Sequence, residues 1–167
     1  LAIDTLMQGA EANPGEAVLQ YELGAMYQEA GRMESANERY EEVLALNTNH
    51  IQAMDSLASN LLDMDQDIER AHELAERLYS LMPDDPYIQD LWGWALYRKG
   101  ELESARAILE AAANGIEDSG RADYHLALTL RDLGEEGKAV EYFRSALGKG
   151  LADHLEPLAE RAIQSNR

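Results

Sequence analysis

The sequence predicts an all-α protein, a right-handed α-solenoid of antiparallel helix pairs with about four and a half repeats and a C-terminal capping helix, and three observations carry that prediction. Five alanines, Ala2, Ala36, Ala71, Ala105 and Ala139, recur at spacings of 34, 35, 34 and 34 residues, and a fixed period of that length marks a stack of supersecondary units. A second small residue precedes each of the last four by 12 or 13 positions, as Gly24, Ala58, Gly93 and Ala127. Small residues paired across two antiparallel helices let the backbones approach to the tight end of the ~8–10 Å interaxial range. Around these pivots apolar residues fall at i, i+3 and i+4, the spacing of a helix that buries one face.

The whole chain, 1–167, reads as a single domain. Residues 1–16 form the second helix of a broken unit, stopped by Pro14, which has no N–H to donate into a continuing helix. A chain that begins in mid-unit is expected to be preceded by further repeats. The first complete unit, 17–50, places Leu23, Met26 and Tyr27 around Gly24, then Tyr40 and Val43 after Ala36. The second, 51–85, has Leu74 and Leu78 after Ala71 and ends at Pro83. The third, 86–119, sets Trp92, Ala95 and Leu96 around Gly93, with Leu109 and Ala112 on the second helix. The fourth, 120–150, repeats the logic with Leu126, Thr129 and Leu130, then Phe143 and Ala146. Gly31, Gly100 and Gly134 stand where a helix must end in a left-handed cap. In the 51–85 unit Asp65 takes that place, with one extra residue in 63–68, so a looser turn is expected there. Residues 151–167 hold the capping helix, from about 153 to 165, whose Glu156, Glu160 and Arg161 give the polar outer face a terminal repeat requires.

Composition narrows the function classes. With 46% hydrophobic residues the chain can build a packed core and is not intrinsically disordered. Its 32 acids against 14 bases give a net charge of −18, a field that repels nucleic-acid backbones and anionic lipid. No apolar run approaches the ~20 residues of a membrane span. The absence of cysteine removes disulfides, thiolate metal sites and thiol nucleophiles, and leaves the redox compartment unread.

The arrangement resembles the tetratricopeptide repeat family, whose unit carries W-x2-L-G-x2-Y, then A-x3-F. Leu23-Gly24-x2-Tyr27 with Ala36-x3-Tyr40, and Trp92-Gly93-x2-Leu96 with Ala105-x3-Leu109, follow that pattern. The leading Trp is replaced by Gln20, Met54, Gln89 and Asp123. The resemblance implies a superhelix whose first helices line an inner face that holds a protein or peptide. Residues 91–100 and 124–127 are also similar to repeats of bacterial envelope and exopolysaccharide-export proteins, which implies a periplasmic or envelope-associated location. The Lys and Asn clamp with which some members hold chaperone tails is absent: its positions carry Tyr21 and Ala25, Asp55 and Ser59, Asp90 and Trp94.

The residues expected to project from the first helices are Val18, Tyr21, Ala25 and Gln28, then Gln52, Asp55, Ser59 and Leu62 in the next unit. Tyr87, Asp90, Trp94, Tyr97 and Arg98 follow, and after them Arg121, Tyr124, Leu128 and Arg131. Of these, Tyr21, Tyr87, Asp90, Trp94, Tyr97, Arg98, Arg121, Tyr124 and Arg131 form the candidate partner-binding set. Aromatics and arginine dominate binding hot spots because each offers broad area and a polar handle. Two plainer readings stand beside this one: Trp94 and Tyr97 pack between neighbouring first helices, and the arginines pair internally with Asp90, Asp123 or Asp132.

No catalytic constellation, cofactor motif or metal-ligand spacing emerges. His50, His72, His125 and His154 are dispersed, and His72-Glu73 lacks the second histidine of a zinc-protease helix. Three functions follow: a scaffold that binds a partner segment without catalysis, a self-assembling segment of a longer solenoid or homo-oligomer, and the recruiting arm of a larger enzyme or export complex.

Overall fold

The computed structural model describes residues 2–13 and 15–165, of which 2–5 and 11 are described by backbone alone. Pro14 and the side chain of Ala2, both used in the repeat assignment, lie outside the described residues. The described residues form ten helices and no strand: α1 (Ala2–Ala12), α2 (Ala17–Glu29), α3 (Met33–Leu46), α4 (Ile51–Asp63), α5 (Ile68–Leu81), α6 (Pro86–Arg98), α7 (Leu102–Gly115), α8 (Arg121–Asp132), α9 (Glu136–Lys149) and α10 (Glu156–Gln164). They gather into two compact units, Leu1–Leu74 and Ala75–Arg167.

In the first unit α2 and α3 form a hairpin. The space Gly24 opens is filled by the ring of Tyr40: a Cβ there would lie 2.7 and 2.9 Å from two ring carbons. Across the α6–α7 hairpin of the second unit, a Cβ on Gly93 would lie 2.5 and 2.7 Å from Leu109 side-chain atoms. Each glycine therefore makes room for the large residue four positions past the repeat alanine, which corrects the simpler pairing of small with small. Tyr40, Val43, Leu109, Ala112, Phe143 and Ala146 are all buried, so the second helices supply the core their spacing promised.

A partly buried amide network joins α2, α3 and α4. Tyr40 donates to Gln28 Oε1 at 2.9 Å, and Asn60 Nδ2 donates to Asn37 Oδ1 at 2.9 Å and to Gln28 Oε1 at 3.2 Å. In the second unit Lys149 reaches back from the end of α9 to the last carbonyls of α7, donating to Ala113 at 2.9 Å and Ile116 at 2.8 Å. The same ammonium pairs with buried Asp123 at 2.8 Å. One lysine thus satisfies carbonyls that a helix end leaves orphaned and neutralises a carboxylate inside the fold.

The turns show why glycine recurs. Gly31, Gly100 and Gly134 have φ of 72°, 81° and 79°, and the residue after each donates back to the helix, as Arg32 to Tyr27 at 2.8 Å. Asp65 adopts the same left-handed state at φ 55°, and Gln66 donates to Leu61 at 2.9 Å. The turn is looser in one bond only: Asp65 N–H reaches Leu62 at 3.3 Å where the glycine turns have 2.9 Å, while the Gln66 bond matches theirs. The extra residue is taken up beyond it by Asp67, at φ 34°, whose carboxylate accepts the N–H of Arg70 at 3.1 Å.

Candidate functional site

The candidate residues of the second unit lie on α6 and α8, and local chemistry fixes where α6 begins. Pro86 occupies its first turn, and Asp85 caps it by accepting the N–H groups of Tyr87 at 2.9 Å and Ile88 at 3.2 Å. That start sets the phase of everything after it. Tyr87 falls on the exposed side, 51% accessible, with its hydroxyl donating to Asp118 at 3.2 Å. Trp94, Tyr97 and Arg98 come round half-buried two and three turns later.

Asp90 does not project outward as its position suggested. It is fully buried, with Oδ2 accepting from Arg121 Nε at 2.7 Å and Oδ1 facing His125 Nδ1 at 2.8 Å. Burial alone pushes its carboxyl upward, but His125 and Arg121 together outweigh that and hold it below the ordinary carboxylate value. Tyr124 is a second correction. It is buried, edge-on to Phe143 at 5.7 Å, because its place on α8 faces α9. Leu62 in the first unit is likewise interior.

Above Asp90 the rings stack. The indole of Trp94 lies near-parallel to His125 at 4.1 Å and to Tyr97 at 4.8 Å between centroids, and the Arg98 guanidinium carbon is 5.4 Å from its ring centre. Tyr97 donates to Asp132 Oδ2 at 2.7 Å, and Arg131 Nε contacts Asp132 Oδ1 at 3.0 Å. Burial, then the neighbouring Asp132, pushes the Tyr97 phenol up to about 12. The structure thus brings Asp90, Trp94, Tyr97, Arg98, Arg121 and Arg131 together, with Tyr87 at the start of the same helix. Tyr21, in the first unit, packs instead on Tyr40 at 5.6 Å and His50 at 5.2 Å.

His125, which the sequence shows only as one of four dispersed histidines, belongs to this cluster. Its signal was its place about one repeat after Asp90, on the next first helix. Among the described residues no group of three His, Asp or Glu is placed to hold a metal ion. The face presents stacked aromatic rings with arginines beside them. Beside it, between α8, α9 and α10, lies a cavity of about 370 Å³ that the sequence did not point to.

Residues 121–148 match the tetratricopeptide repeat model. The TPR repeat-containing protein PA4667 of Pseudomonas aeruginosa is 28% identical over 117 residues, 70% of this chain. The match spans only 20% of that relative's length. Among solved structures, MamA residues 41 to the end from Desulfovibrio magneticus RS-1 has a TM-score of 0.77 at 20% identity, covering 89% of this chain and 83% of that one. YrrB, described as a TPR protein with an unusual peptide-binding site, has a TM-score of 0.76 at 20% identity, covering 96% and 81%. TTC0263, a thermophilic TPR protein of Thermus thermophilus, has a TM-score of 0.71 at 21% identity, covering 89% and 80%. Likeness at these identities is likeness of fold.

Proposed function

We infer from a chain built of tetratricopeptide repeats that its work is to hold another protein, and we propose that the partner lies on the α6–α8 face of the second unit. The observation that carries this reading is the stack of Trp94 with Tyr97 and Arg98, braced from beneath by His125 and Asp90. A surface whose large side chains are already ordered loses little conformational freedom on binding. Tyr87, Arg121 and Arg131 extend it along both helices, Asp90 acts as an internal brace, and Tyr124 forms part of the floor. Tyr21 is a separate candidate contact in the first unit. The peptide-binding site in YrrB's description is consistent with this use of the fold.

In this reading the chain itself catalyses nothing, and Asp90, paired with His125 and Arg121, serves to fix rings. An envelope-associated location is part of the proposal, resting on the resemblance of residues 91–100, and fractionation of the source cells tests it. The direct experiment is affinity capture by the wild-type chain and by a Tyr87→Ala, Tyr97→Ala double variant of matched helicity. A protein held by the first and lost by the second supports the reading. Equal capture by both removes the α6–α8 face from consideration.

A further inference from the structure

The cavity between α8, α9 and α10 combines an apolar wall with two arginines. Its walls are formed by Leu128, Phe143, Leu158 and Ala162, and its charged lining consists of Arg131 and Arg161, with no carboxylate among the described lining residues. In a chain with 32 acids and 14 bases, two arginines lining one recess stand out, even with Asp132 paired to Arg131 at its edge. Leu158 is a large apolar side chain left 45% exposed at this recess, although α10 is otherwise polar on its open side. The volume, about 370 Å³, is at the small end of the ~300–1,000 Å³ of ligand pockets, room for one or two side chains and not for a helix.

We propose that this recess docks an acidic partner segment, with a Leu or Phe side chain in the cavity and a flanking Asp or Glu side chain held by Arg131 and Arg161. The proposal rests on the reading that the chain holds a protein, and adds the chemistry of what is held. Guanidinium groups suit the role because their planar fork matches a carboxylate bidentately. Arg131 is also positioned for it: its Nε is tied to Asp132, the same carboxylate that receives the Tyr97 hydroxyl, so the recess continues directly from the aromatic face. The net charge of −18 sharpens the inference. Most of this surface disfavours an acidic segment, so attraction at the recess helps fix where along the chain the partner sits.

The test uses the peptide Ser-Asp-Glu-Leu-Phe-Glu-Asp-Ser, carrying fluorescein on its N-terminus and amidated at its C-terminus, against a counterpart with Asn and Gln replacing each acid. Fluorescence polarisation should show the acidic peptide binding more tightly, against the chain's overall charge, with the preference fading as salt rises. The Arg131→Gln, Arg161→Gln variant should weaken it at least about fivefold, the effect of two partly exposed ion pairs. Leu158→Asp, at an exposed site that leaves the core intact, should abolish it. Equal affinity for the two peptides, or an acidic peptide indifferent to both variants, overturns the proposal. So does binding that appears only when the peptide's C-terminus is free, which would make the ligand a chain end. A captured protein lost by Tyr87→Ala, Tyr97→Ala but retained undiminished by the arginine variant overturns the recess while leaving the scaffold reading standing.

Discussion

Asp90 receives Arg121 on one carboxylate oxygen and faces His125 with the other, so removing its charge takes the anionic partner from both at a fully buried position. Asp90→Asn should cost about 2–3 kcal/mol at pH 7, measured by urea unfolding. The pH dependence has a definite sign. A carboxyl held below its unfolded value of ~3.9 contributes stability that is complete above that value and is lost as acid protonates the folded form. The wild-type chain should therefore lose more stability than Asp90→Asn as pH falls from about 5 to about 3, across the ordinary carboxylate range. Tyr97 behaves oppositely. Its phenol ionises at about 12, so an ultraviolet titration should contain one late step that Tyr97→Phe removes. The sequence exposed the Asp and Arg alternation that produces the Asp90–Arg121 pair. It did not expose the stacking of His125 on Trp94, which depends on the angular register of α6 against α8 and on no residue type alone.

At the scale of helices and turns, period and spacing located the hairpins because each apolar stripe has to be buried on its neighbours. What they could not give is the atom a glycine faces. Gly120 is the sharpest case: a Cβ there would run into the carbonyl of Ala146, and its own N–H donates to Gly150 at 2.8 Å. Gly120→Ala should therefore destabilise by about 2–3 kcal/mol, more than Gly93→Ala, where a Leu109 side chain can yield. Thermal unfolding of the two variants checks the order. Lys149→Met should cost about 1–3 kcal/mol, since it uncaps α7 and leaves Asp123 buried without its cation. The turn at Asp65 stays close to the others because aspartate, unlike most residues, tolerates the left-handed state that glycine adopts freely. Asp65→Gly should relieve that strain and raise stability by up to about 1 kcal/mol, read as a higher urea midpoint.

For the whole molecule, the repeat class was legible because five equally spaced alanines and their stripes agree in phase, and the matched repeat at 121–148 lies in the stretch where the spacing is most regular. The candidate site was legible only as a list of residue types. Burial removed Tyr124 from the exposed set and turned Asp90 into a brace, and the arginine-lined recess stayed hidden because Phe143 of the last repeat and Arg161 of the capping helix come together only in three dimensions. The central claim is that the chain holds a protein on the α6–α8 face, and hydrogen exchange with and without the captured partner tests it most directly. The account predicts that slowed exchange on binding concentrates in residues 87–98 and 121–131, spreading to α10 if the recess is used. Slowed exchange confined to α3 and α5, with α6 and α8 unchanged, would contradict it.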